Sequence, residues 1–204
     1  MNGDDVRLAA RASSKYLRSV AENDWSRPIP ELDWTVCDAI QHMIGGTVMY
    51  PIDLCASGAH LHTLKIHTRA ESSNADLVLT LEASAAVLAH AIDGSPDDLR
   101  GYHPYGRADP SGFAAMGCDE ILVHTDDVSR AFGASFVPDD SLCERVLRRL
   151  FPWAPGDTDA WDTLRWANGR ASLGNLPRLG PRWYWHCAPL EEWDGSSPVI
   201  GLNR

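Results

Sequence analysis

The chain has 204 residues, 44% of them hydrophobic and eight of them Trp, enough for one main domain with a sizeable core and a smaller appendage. Its formal charge of -10, from 28 acidic against 18 basic residues, argues against nucleic acid or a membrane surface as the main partner, because both call for a basic face. No uninterrupted apolar run approaches the roughly 18 residues that span a bilayer, and "MNGDDVRLAARASS" lacks the apolar stretch of a signal peptide, so the expected location is the cytoplasm. Cys37, Cys55, Cys118, Cys143 and Cys187 form no CxxC pair and are expected to be reduced core residues.

Residues 4–20 carry Val6, Ala9, Ala10, Tyr16, Leu17 and Val20 at three- and four-residue spacing, the pattern of an amphipathic helix. Pro28 and Pro30 interrupt it, and "DWTVCDAIQHMIGGTVM" starts a second helix, with Asp33 or Thr35 as cap and Val36, Ile40, Met43 and Thr47 on one stripe. Pro51 is expected to kink or end that helix. The segment "CASGAHLHTLKIHTRAESSN" has no clean period and reads as a loop. Helical spacing returns with Leu77, Leu81, Ala85, Leu88 and Ile92, and stops at Asp93-Gly94 and Pro96. After the turn-rich "GYHPYGRADPSG", Asp109-Pro110 makes a cap with proline at the first helical position, opening a fourth helix that runs to Gly133.

Four long helical patterns without a convincing strand between them predict a mainly α fold, a four-helix bundle over 1–137. A small C-terminal α/β appendage is expected over 138–204, packed on the bundle. There "PDDSLCERVLRRL" shows a capping-box pattern from Ser141 to Glu144, and "DTDAWDTLRWANG" reads as a short helix closed by Gly169. "RWYWHC" alternates Trp183 and Trp185 against Tyr184 and His186, the period of a short strand.

Candidate chemistry centres on "GCDEILVHTDD", where Glu120 and His124 stand four residues apart and so share one helical face, one turn apart. A surface ion pair is the common meaning of that spacing. Here Cys118, Ile121, Leu122, Val123 and Val128 leave little purely solvent face, and an inward carboxylate needs a partner or a metal. His42, between Ile40 and Met43, reads either as a hydrogen-bonded core histidine or as a third ligand. Three nitrogen or oxygen ligands with an open position form the catalytic arrangement for zinc, whereas structural zinc is closed by four protein ligands and rich in cysteine.

The other polar candidates each have a plain alternative. Asp126 and Asp127 read as a solvated acidic turn, or Asp127 as the carboxylate that orients His124 and, as a catalytic group, handles protons. His103, in the loop before the fourth helix, is either a surface residue or a group reaching into the bundle mouth to handle protons. His60, His62 and His67 lie in "HLHTLKIH", expected to be a solvated loop. Trp153, Trp161, Trp166, Trp183 and Trp185 either line a substrate pocket or build the core of the appendage. The chain contains no GxSxG, P-loop or GxGxxG motif.

Taken together, "LDWTVCDAIQHM", "HPYGRADPSGFAAMGCDEILVHTDDVSRAFG" and "LRWANGR" with "WHCAPLEEW" resemble the DinB/YfiT-like superfamily, in particular its mycothiol-dependent maleylpyruvate isomerase branch. The resemblance implies a DinB-like four-helix bundle with a divalent metal, usually zinc, held by His42, Glu120 and His124. It also implies a low-molecular-weight thiol, mycothiol, as cosubstrate, activated by the metal for S-transfer to a small-molecule electrophile or for its cis-trans isomerisation. A monomer or homodimer would suffice for this. Two other readings stay open at this stage: a thiol-independent hydrolase using metal-bound water, and a non-catalytic protein that sequesters a ligand.

Overall fold

The computed structural model describes residues 1–59, 63–180 and 183–197. Three long helices open with the same device, a side chain that accepts the N–H three residues on while the residue there returns a carboxylate. Asn2 and Asp5 start α1 (Gly3–Ser19), Thr35 and Asp38 start α2 (Val36–Cys55), and Ser73 and Asp76 start α3 (Asn74–Asp93). The fourth long helix, α4 (Pro110–Ala131), uses Asp109, whose carboxylate accepts the Gly112 N–H at 2.7 Å, with Pro110 behind it.

Pro51 does not end α2, which runs on to Cys55. It removes a single N–H from the ladder, its ring is buried, and the Ala56 N–H closes the helix on the Ile52 carbonyl at 2.9 Å.

The four long helices pack on one another: α1 against α3 and α4, α2 against α3 and α4, and α3 against α4. Leu17, Met43, Leu81, Leu88, Phe113 and Ile121 are fully buried between them. Each such side chain contributes about 1.5–3 kcal/mol relative to exposure. The apolar core runs on without interruption to Leu150, Phe151 and Trp166. By length and composition α3 is also apolar enough to cross a membrane, contrary to the expectation that no apolar stretch of the chain is. Mean hydropathy tolerates Asp76 and Glu82; in the fold α3 buries Leu77, Leu81, Ala85, Leu88 and Ile92 against its neighbours.

A small antiparallel hairpin, β1 (Gly101–His103) and β2 (Gly106–Ala108), stands between α3 and α4 where only turns were expected. It is seated by glycine: a Cβ on Gly101 would lie 2.7 Å from the Leu54 Cα and 2.8 Å from the Asp53 carbonyl at the end of α2. Only a residue without a side chain lets the hairpin approach so closely.

The C-terminal part consists of α5 (Asp140–Leu150), α6 (Ala160–Ala167) and a 3-10 turn at Leu190–Glu192. Two expectations fail here. Asp139, not Ser141, caps α5 by accepting the Leu142 N–H at 2.9 Å, because a carboxylate is the stronger acceptor at a helix N-terminus. Residues 183–188 keep the predicted alternation, with Trp185 and Cys187 buried and Tyr184 exposed, but form no strand. A backbone hydrogen bond ties them across the fold, from the His186 N–H to the Leu150 carbonyl at 2.8 Å. Extended backbone packed on helices has the period of a strand without its partner.

Candidate metal centre

Helices α2 and α4 lie side by side, and their facing positions bring together three groups. Oε2 of Glu120 is 3.0 Å from Nε2 of His42 and 3.1 Å from Nε2 of His124. The ligand-capable atoms of the three all lie within 4.8 Å of one another. Side-chain exposure falls from 44% at His42 to 11% at Glu120, so the cluster sits at the boundary between solvent and core. The Trp34 ring lies 4.8 Å from that of His42 and 5.3 Å from that of His124, covering one side.

A second set of contacts fixes the orientation of these groups. Asp127, one turn on from His124, places Oδ2 3.0 Å from His124 Nδ1, which directs the opposite nitrogen, Nε2, toward Glu120. Asp127 in turn accepts hydrogen bonds from Arg170 at 3.0 Å and from Arg130. Tyr50, two turns beyond His42 on α2, donates its hydroxyl to Oε1 of Glu120 at 3.1 Å.

Electrostatics follow from this geometry. Burial opposes the charge on Glu120, but hydrogen bonds from His124 and His42 hold its carboxyl well below the usual range. His124 is pulled down by burial and pushed up by Asp127 and Glu120, ending at about 9. Asp127 is held well below the usual range by His124 and Arg170 against its own burial. Asp119 shifts in the opposite direction: burial raises it to about 7, even though Asn168 and Trp185 donate to it at 2.8 and 3.0 Å.

The cluster opens into a cleft of about 320 Å³ lined by His103, Tyr105, Asp119, Arg170 and Trp185, among others. His103 is half-buried on the hairpin, its Nδ1 accepts the Tyr105 N–H at 3.2 Å, and burial lowers it to about 4. It is therefore neutral near pH 7, with its proton on Nε2.

Residues 6–129 match the family described as Mycothiol maleylpyruvate isomerase N-terminal domain. The chain belongs to that family, which is DinB-like. No curated protein and no solved structure matches the chain. His42, Tyr50, Glu120, His124 and Asp127 fall inside the matched Mycothiol maleylpyruvate isomerase N-terminal domain. Asn168, Arg170, Trp183 and Trp185 fall beyond it and reach the same cleft from the C-terminal part.

Other sequence candidates are sorted by the fold. Asp126 and Asp127 are buried, not a solvated acidic turn, because α5 and the segment after α6 close over α4. Trp183 and Trp185 line the cleft, whereas Trp153, Trp161 and Trp166 lie in the core. His67 is exposed, and His60 and His62 lie outside the described residues. Tyr50, Asp119, Asn168 and Arg170 had not been singled out as site residues. For Tyr50 a signal existed, since eight residues after His42 on one helix is the same face.

Proposed function

We propose that the chain is a metal-dependent enzyme that uses a low-molecular-weight thiol, mycothiol, to modify a small-molecule electrophile. In this reading α1 to α4 form a DinB-like four-helix bundle, and His42, Glu120 and His124 hold a divalent cation, zinc. What carries the reading is the convergence of those three side chains at the base of an open cleft, within a family named for mycothiol. Two imidazole nitrogens and one carboxylate oxygen fit zinc and fall short of the four protein ligands of a closed structural site. A cation there favours the thiolate form of the cosubstrate at neutral pH.

The chain's own residues support the remaining steps. Asp127 keeps His124 in one tautomer, and Arg170 and Arg130 keep Asp127 ionised. Neutral His103 offers an N–H to negative charge that develops on the electrophile. Burial pushes the thiols of Cys143 and Cys187 up to about 12 and about 11, and Cys118 well above its ordinary value, so these three do not serve as nucleophiles.

In the reaction a sulfur electron pair forms a C–S bond, and the pair displaced from the electrophile takes up the proton lost by the thiol. Retention of the adduct gives S-transfer. Rotation about the former double bond followed by loss of the thiol gives cis-trans isomerisation. A cytoplasmic location suits a thiol cosubstrate, and all five cysteines are unpaired.

The test is metal analysis of the dialysed protein and its His124→Ala variant, followed by mass spectrometry after incubation with mycothiol and candidate electrophiles. One zinc per chain, lost in the variant, and a thiol-dependent product are expected. A full equivalent of zinc in the variant overturns the site, and turnover without thiol points instead to hydrolysis.

A further inference from the structure

Part of the lining of the cleft that holds His42, Glu120 and His124 is made of rings. Trp185 lies 5.4 Å from His103 and 5.9 Å from Tyr105, Trp183 lies 6.2 Å from Trp185, and Tyr105 lies 6.2 Å from Tyr184. Tyr105 and Tyr184 are 51% and 42% exposed, large rings left open beside the cleft. Exposed rings clustered at a pocket mark a binding surface more than chance exposure does.

The wall is also held in place. Trp185, itself buried, donates its indole N–H to Asp119 Oδ2 at 3.0 Å, and Asp119 takes a second hydrogen bond from Asn168 at 2.8 Å. Gly106, at φ +146°, lets the hairpin that carries His103 and Tyr105 sit against Cys187; a Cβ there would lie 3.2 Å from its Sγ. Two segments distant in sequence are thus locked together with their rings on one side.

The charges on the lining bear on which ligand fits. Two lining groups carry positive charge in the metal-free protein: His124 is engaged by Asp127 and Glu120, and Arg170 has all three of its nitrogens engaged, Nε and Nη2 by Asp127 and Nη1 by the Asn168 carbonyl. Asp119 and Glu120 are carboxyl groups facing the same space. A second carboxylate on a substrate meets no uncommitted cation among the described lining residues.

We infer that the mouth of this cleft is a stacking subsite for a planar aromatic group, and that the electrophile is aromatic, not a small aliphatic dicarboxylate. The inference rests on the proposed function for the word electrophile, but the subsite stands on geometry of its own. Asp119 serves it as a positioning residue through Trp185. A volume of about 320 Å³ is at the small end for ligand pockets and suits one compact ring system.

Calorimetric titration of the full chain with indole, and separately with fumarate, tests this without thiol or turnover. Saturable binding of one indole per chain is expected, weakened about fivefold in Tyr105→Ala and again in Trp183→Leu, with fumarate binding at least about tenfold more weakly. Tyr105 is exposed enough that its replacement leaves the fold intact, which the thermal midpoint checks. Absence of saturable indole binding, binding as tight as wild type in both variants, or tighter binding of fumarate overturns the subsite. Zinc measured on the same samples separates the two ideas: zinc present without indole binding sinks only the subsite, whereas indole bound without zinc sinks only the metal reading.

Discussion

Tyr50 donates its hydroxyl to Oε1 of Glu120 at 3.1 Å, and this leaves Oε2 as the oxygen that faces both His42 and His124. In the proposed site the phenol would therefore decide which carboxylate oxygen a cation meets. Because Tyr50 is buried, its ring will stay packed when the hydroxyl is removed. Tyr50→Phe should keep the fold and weaken metal affinity about tenfold to a hundredfold, as loss of a partner behind a ligand commonly does. Competition against a chromophoric chelator measures it; an affinity equal to wild type would reduce Tyr50 to packing.

Asp127→Asn keeps the shape of the side chain and removes its charge. Arg170 then loses its carboxylate partner, Arg130 keeps only Asp126, and His124 keeps only Glu120. Both guanidinium groups are partly exposed, so the loss should be about 2–4 kcal/mol, toward the lower part of the range for breaking a buried pair. Denaturant unfolding of the metal-free protein reads this directly, and a loss under about 1 kcal/mol would contradict the buried arrangement.

The pH dependence has opposite signs with and without metal. His124 is raised from 6.5 to about 9 in the folded, metal-free chain, so its contribution to stability is complete below pH 6.5 and is lost as pH rises through 9. A cation needs the neutral nitrogen, so its apparent affinity should rise across the same window, by up to about tenfold per pH unit. Chelator-treated protein should show a falling thermal midpoint from pH 6.5 to 9 while zinc affinity climbs. Zinc affinity that is flat over this range would mean that His124 is not a ligand.

Asp119→Ala leaves the Trp185 indole N–H without its acceptor and the Asn168 amide with the Leu164 carbonyl alone, each inside the protein. Removing the carboxyl also relieves its own burial, which is what raises it to about 7. The net loss should be about 1–3 kcal/mol, with tryptophan emission shifted to the red as Trp185 loosens. Zinc content should not change, because Asp119 is not one of the three converging groups.

Much of the helical layout was legible because its causes are local. Caps at Thr35 and Asp109, the stop at Gly133, and the apolar stripes of α2 and α3 all depend on residues within a few positions of one another. Local signals misled where a tertiary term outweighed them. Pro51 lies inside α2 because the loss of one N–H is offset by burial of its ring. "RWYWHC" alternates because it is packed on one side, not because it pairs with a strand.

By itself the sequence determined that Glu120 and His124 share a helical face, since a four-residue spacing on a helix has no other outcome. It could not determine what that face meets. His42 comes from 78 residues before Glu120 in the chain, Arg170 closes on Asp127 from 43 residues later, and Trp185 reaches Asp119 across 66. Those pairings depend on how α2 packs on α4 and how the C-terminal segment folds back, terms set by burial of the shared core. Tertiary packing alone turned two residues on one turn of helix into a convergent three-residue cluster beneath an aromatic wall.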